Sequence, residues 1–256
     1  MKKQASFLLP GIVCLSLLVL WELLVHLTQV PAYVVPAPSD VVRALGKELG
    51  NLSGHALVTV AEALAGMAIS LVCALVLGVL MDAFALFKRS VYPILVVTQT
   101  VPMIVLAPIL IIYLGFGLAP KILTVVLMCF FPIAVSFVDG MAQVDPAYVE
   151  LVRSYGASKL QVYRLIKLPS AMPNLISGLK VAATYAISGA VVGEWIASQK
   201  GLGYYLLRVK NSYALDKMFA CVLVIVALSL MMNGLVRVFE RVAMPRRLRK
   251  IKTVHN

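Results

Sequence analysis

The sequence predicts an all-α, polytopic transmembrane bundle of about six spans, each close to the roughly 20 apolar residues that cross a bilayer as a helix. Three observations carry that expectation. Of the 256 residues, 61% are hydrophobic and only 13% charged, with a mean hydropathy of +0.95, well beyond the roughly 45–50% apolar share of a soluble domain. The apolar residues fall in long runs. The Lys and Arg fall mainly between and beyond those runs. No polar stretch is long enough to build a separate globular core, so residues 1–256 are expected to form one membrane domain with short loops.

The first run, 7–27, follows Lys2 and Lys3. A basic start and an apolar stretch also describe a secretory signal, but this run is long enough to span and no small-x-small site closes it, which favours a retained helix. Pro31, Pro36 and Pro38 then interrupt the chain. Ser39-Asp40 offers an N-cap for a short amphipathic helix, ending near Leu49 and expected on the membrane surface. The second run is 56–80 and the third 91–114. Pro93, Pro102 and Pro108 each remove a helix hydrogen bond from the third, so a straight rod is not expected there. The remaining runs are 122–138, 175–197 and 218–239. In the fifth, Gly189 and Gly193 lie four apart on one helical face, which suits close helix packing and a lining for a substrate path equally. No sustained internal repeat supports an inverted-repeat secondary transporter.

A net charge of +12 raises nucleic-acid binding as a function, and the placement of the charge argues against it. With the N-terminus inside, the cytoplasmic side receives Lys2, Lys3, Lys88, Arg89 and the basic residues of 153–167 and 237–252. That is roughly twice the number left outside, as the positive-inside rule requires. The chain is therefore expected to be a multi-pass protein of the cell membrane with both termini in the cytoplasm, its basic tail a topology and anionic-lipid signal. Lys200, Arg208, Lys210 and Lys217 run against the rule, and Lys180 falls inside the fifth run. Cys14, Cys73, Cys129 and Cys221 sit within apolar runs without a CxxC and read as small packing residues. His26, His55 and His255 are isolated, so no metal or other cofactor is expected.

The long cytoplasmic loop, 139–173, reads as two short helices. Asp145 caps the first, with Pro146 at its first helical position, and Gly156 ends it. Ser158 caps the second, which Pro169 is expected to terminate. Leu151, Val152 and Tyr155 form an apolar stripe on the first helix, and Leu160, Tyr163, Leu165 and Ile166 a less regular one on the second. A helix pair that shows an apolar stripe to the cytoplasm is suited to a groove on another protein.

This loop resembles that of the permease subunits of ATP-binding-cassette importers, whose pattern is E-A-A-x3-G-x9-I-x-L-P. Glu150, Gly156, Ile166, Leu168 and Pro169 stand in register, while Leu151 and Val152 replace the two alanines. The likeness extends over nearly the whole chain and is greatest to the branch serving nitrate, sulfonate, taurine and pyrimidine precursors of thiamine. Trp21-Glu22, Pro36-Ala37-Pro38-Ser39, Pro102 with Pro108, Phe131-Pro132-Ile133, Gly193-Glu194-Trp195 and Gly201-Leu202-Gly203-Tyr204 are similar stretches. Near the start of the second span, where relatives carry a basic residue, this chain has Glu62.

The resemblance implies a homodimeric pathway for a small solute, supplied by an external binding protein and driven by a cytosolic ATPase subunit that receives the loop. It implies that Glu150 orients or caps the first coupling helix, that Gly156 with Ala157 makes the turn, and that Pro169 ends the second. Leu151, Val152 and Tyr155 are the candidates for groove contact. The chain has no GxxxxGK[ST] phosphate loop, so ATP chemistry is expected on the partner. The competing reading is a stand-alone secondary transporter or channel, which would not need the loop. A membrane-embedded enzyme would need Asp, Glu or His clustered on facing helices, and no such cluster is legible.

Ionisable groups inside spans are expensive and are functional candidates by default. Glu22, Glu62, Asp82 and Glu194 are expected near span ends, where water or head groups reach them, so interfacial and transport roles both stay open. Glu194, beside Trp195, is the first candidate for a site near substrate. Gln99 and Thr100 lie deeper in the proline-rich third span, suited to the pathway or to an interhelical hydrogen bond.

Overall fold

The computed structural model describes residues 2–243, and all the regular structure among them is helical. The basic residues at 246–252 and His255 lie outside the described residues. Helix α1 (Lys2–Thr28) stands at the edge of the bundle, and none of its residues from Leu9 to Thr28 is buried. It is tied to the rest at its far end. Trp21 packs its ring 5.7 Å from that of Phe219, and the Glu22 carboxylate accepts hydrogen bonds from the Ser39 backbone N–H (3.0 Å) and hydroxyl (2.7 Å).

Those bonds open helix α2 (Pro38–Ala83). The expected N-cap at Ser39-Asp40 is displaced: Ala37 holds the cap position without a side-chain bond, Pro38 begins the helix, and Glu22 of α1 satisfies one of the free N–H groups. The separate surface helix expected up to Leu49 does not exist. α2 runs unbroken for 46 residues, about 69 Å at 1.5 Å per residue, more than twice the roughly 30 Å hydrocarbon core. No proline interrupts 39–92, so the backbone ladder continues, and tertiary contacts hold the projecting end. Val41 and Ala44 pack with Ala220, and Lys217 Nζ donates to Glu48 (2.6 Å).

The proline-rich third span breaks into α3 (Ala85–Thr100) and α4 (Met103–Leu114), which meet at 105°. The break falls at Val101-Pro102, where proline forces its predecessor into extended backbone. Pro93 and Pro108 stay inside their helices. Gly115 (φ +73°) and Gly117 (φ +146°) make the turn into α5 (Leu118–Ala142).

After the loop come α6 (Pro146–Ser154), α7 (Lys159–Val162), a π-helical turn at Tyr163–Lys167, and α8 (Leu168–Ala197). The amphipathic α9 (Leu202–Asn211) and the last span α10 (Leu215–Ala243) complete the chain. Helices α5 and α8 form the core with α2, around Ile133, Phe137, Ile176, Ile187 and many alanines. Glycines set their separation: a Cβ on Gly193 would stand 2.9 Å from Lys121 Cα, and one on Gly178 would reach the Pro132 carbonyl at 2.5 Å. Lys180, left unpaired in the fifth run by the sequence, bonds Glu240 of α10 at 2.5 Å.

Candidate functional site

Two polar constructions occupy opposite ends of the α2–α5–α8 core. The first is the helix pair, whose folding is set locally. Asp145 Oδ1 accepts from the Ala147 N–H at 2.9 Å, with Pro146 opening α6. Gly156 adopts φ +82°, where a β-carbon is disfavoured, and turns the chain. Ser158 and Gln161 then form a reciprocal capping box: the Ser158 N–H donates to Gln161 Oε1 (2.7 Å), and the Gln161 N–H to Ser158 Oγ (3.3 Å).

The apolar stripe is left uncovered. Leu151 is 52% exposed, Tyr155 84% and Leu160 77%, while Val152 is half-buried. With Tyr148, Leu165, Ile166 and Gly140, Val152 lines a cleft of about 640 Å³ under the pair. Glu150 is exposed in mid-helix, and Asp145 rather than Glu150 caps α6. Pro169 does not end the second helix. It is the second residue of α8, and the chain passes into it through the π turn, where the Leu168 N–H donates to the Tyr163 carbonyl. Proline lacks an N–H and its ring crowds the carbonyl four residues earlier. The wider π turn absorbs that conflict without breaking the rod. Ile166 and Leu168 are half-buried at the junction, and Ala157 is half-buried after the turn.

The second construction is a buried charge network at the other end. Lys121 on α5 donates to Glu62 Oε1 of α2 (2.9 Å) and to Ser198 Oγ (2.8 Å). Glu194 on α8 is fully buried. It accepts from the Thr59 hydroxyl (2.7 Å) and from the Gly203 N–H (2.6 Å), and Thr59 in turn accepts from the Leu202 N–H (2.9 Å). The Gly201 N–H donates to His55 Nδ1 (3.0 Å). A side chain on Gly201 would collide with the Glu194 carboxylate, so the glycine is required twice, for that approach and for its φ of +113°.

This geometry corrects the reading of the intramembrane acids. Glu62 and Glu194 are buried and Asp82, in the last turn of α2, is half-buried; each is bonded to protein groups. Burying such charges costs several kcal/mol per ion unless geometry and hydrogen bonds repay it (roughly). Glu194 thus anchors the start of α9. Gly189 and Gly193 serve the α5 contact, where a Cβ on Gly189 would stand 3.2 Å from Val125 Cα. Gln99 and Thr100 lie exposed at the α3 bend, with the Thr100 hydroxyl turned back to the Val97 carbonyl (2.7 Å). Sequence reasoning missed Lys121, Thr59 and Ser198. The available signal was a lysine at the edge of an apolar run with an unmatched Glu62 elsewhere. A cleft of about 520 Å³, lined by Phe116, Lys121, Ile196, Ser198 and Gln199, opens beside the network.

A family model, the binding-protein-dependent transport system inner membrane component, matches residues 66–243. The chain belongs to that family. The permease is 32% identical to the formylaminopyrimidine transport permease protein ThiX of Halalkalibacterium halodurans, over 96% of its own length and 98% of that protein's. To the taurine transport system permease protein TauC of Escherichia coli it is 25% identical, over 88% and 84%. Its fold matches a solved inward-facing conformation of the MetNI methionine ABC transporter with a TM-score of 0.64 at 20% identity, covering 73% of the permease and 93% of that chain. The permease is accordingly the membrane-spanning transport subunit of an ATP-binding-cassette importer, and the hydrolysis of ATP belongs to a separate partner subunit. The stand-alone transporter reading gives way to this one.

Proposed function

We propose that the α6–α7 pair is the coupling element that docks into a groove of the cytosolic ATPase, with Leu151, Val152 and Tyr155 entering the groove. The observation that carries this is the combination of tight local capping with an uncovered apolar stripe. A capped helix pair keeps its shape without its partner, so docking loses little conformational entropy. Both termini lie in the cytoplasm in this reading, supported by the Lys and Arg distribution. Two copies form the pathway for a small solute delivered by an external binding protein. The relatives named above point to a compact polar solute of the taurine or formylaminopyrimidine kind. Glu150 orients the first coupling helix from its exposed face, and Gln99 and Thr100 border the pathway at the α3 bend.

The test is co-purification with candidate ATPase subunits. Wild type should retain one of them, and Leu151→Asp with Tyr155→Asp should lose it while still inserting and eluting as a single species. Unchanged retention by the double variant would remove the docking assignment. Pairing of two differently tagged copies in one complex tests the homodimer; recovery of only one tag would overturn it.

A further inference from the structure

Helix α8 is covalently continuous with the coupling segment, so any displacement of α6–α7 reaches it directly. α2 is not. It carries Thr59 and Glu62 of the buried network, and its far end stops beside the π turn. Asp82, in the last turn of α2, bridges the gap. Its Oδ2 accepts from the Tyr163 hydroxyl at 2.6 Å and from Lys167 Nζ at 2.5 Å, and its side chain is only 10% exposed. Tyr163 and Lys167 are the first and last residues of the π turn, and Lys167 Nζ also sits 5.2 Å from the centre of the Tyr163 ring.

A carboxylate at a helix C-terminus faces the negative end of the macrodipole, so Asp82 opposes its own helix and needs an outside cation. Lys88 and Arg89 follow closely in sequence, yet the cation it takes lies 85 residues away, on the segment that joins coupling helix to span. The two ends of an irregular turn converging on one oxygen make a clamp that is rigid in shape and strong in charge, since hydrogen bonds to an ionised acceptor are about twice as strong as neutral ones.

We propose that Asp82 is a positioning residue of the transport cycle, clamping α2 to the π turn so that movement of the α6–α7 pair is passed to α2 as well as to α8. The proposal rests on the docking role of α6–α7. With the clamp intact, α2 and α8 move as one unit and carry with them the network that Thr59 and Glu62 of α2 share with Glu194 of α8 and Lys121 of α5. With it broken, the coupling segment moves and α2 lags.

The experiment is amide hydrogen exchange on the complex of this chain with the ATPase subunit that co-purifies with it, comparing the nucleotide-free state with the vanadate-trapped state. In wild type, exchange at 76–83 and at 159–167 should change together on trapping. In Asp82→Asn the response at 159–167 should persist, while that at 76–83 should fall by about fivefold or more, the low end of typical coupling strengths. Tyr163→Phe should weaken the response partly. Asp82→Lys with Lys167→Asp should restore it, which a general loss of packing would not allow. A wild-type response at 76–83 in Asp82→Asn, or an equal offset in both nucleotide states, would reduce Asp82 to a static brace and overturn the proposal. Failure of the wild-type chain to retain any ATPase would overturn the docking role itself, an outcome distinct from loss of the α2 response alone.

Discussion

The helix pair and the buried network differ in how far their parts travel to meet. In the pair, each side-chain capping bond joins residues two or three apart: Asp145 to Ala147, Ser158 to Gln161. In the network, Thr59 reaches Glu194 across 135 positions and Lys121 reaches Glu62 across 59. The pair leaves Leu151, Tyr155 and Leu160 exposed and is capped by its own residues. The network keeps charges inside and exists only when α2, α5, α8 and α9 are all in place. One end of the molecule thus leaves an apolar face open, and the other holds the bundle closed on itself.

Four experiments would break or sharpen that contrast. The largest effect belongs to Lys121→Met, which strands the Glu62 carboxylate in the interior; about 3–5 kcal/mol of stability should be lost. Thermal unfolding of the purified permease would show it, and adding Glu62→Leu should recover most of the loss, because removing both charges also removes their desolvation. If Lys121→Met unfolds like wild type, the network is not holding the helices. Gly193→Val comes next. Its side chain meets the α5 backbone at Lys121, and overpacking of this kind costs about 1–3 kcal/mol, read as a lower unfolding temperature. Ser158→Ala removes half of the capping box and should cost about 1 kcal/mol, confined to faster amide exchange in 158–162 with the spans unchanged. Last, Leu151→Asp with Tyr155→Asp should leave the unfolding temperature nearly untouched, within about 0.5 kcal/mol as for other exposed sites, and abolish ATPase retention. Stability and partner binding would then separate cleanly between the two ends.

The legibility of each end follows from the same contrast. Asp145, Pro146, Gly156 and Ser158 announce the pair because caps and left-handed turns are decided by neighbours in sequence. Trp21-Glu22 and Pro38-Ser39 read as two separate stretches, as did Gly193-Glu194 and Gly201-Leu202-Gly203. The structure joins each couple into one unit, Glu22 bonding the first turn of α2 and Glu194 seating against Gly201 and Gly203. Nothing in a linear reading connects an acid to the backbone N–H it will bond when the two are carried by different helices.

The sequence by itself determined the all-helical membrane class, the order of the apolar runs, a third run too rich in proline for a straight rod, and the capped helix pair. Each depends on hydropathy summed along a segment or on a few consecutive dihedral preferences. Only the tertiary structure decided that α2 runs unbroken from Pro38 to Ala83, that the π turn carries the chain through Pro169, that Glu62 and Glu194 are buried, and that Asp82 is held by Tyr163 and Lys167. A charge at the end of an apolar run is solvated or buried according to what packs over it. That covering comes from helices distant in sequence, each meeting the others only after the bundle has closed.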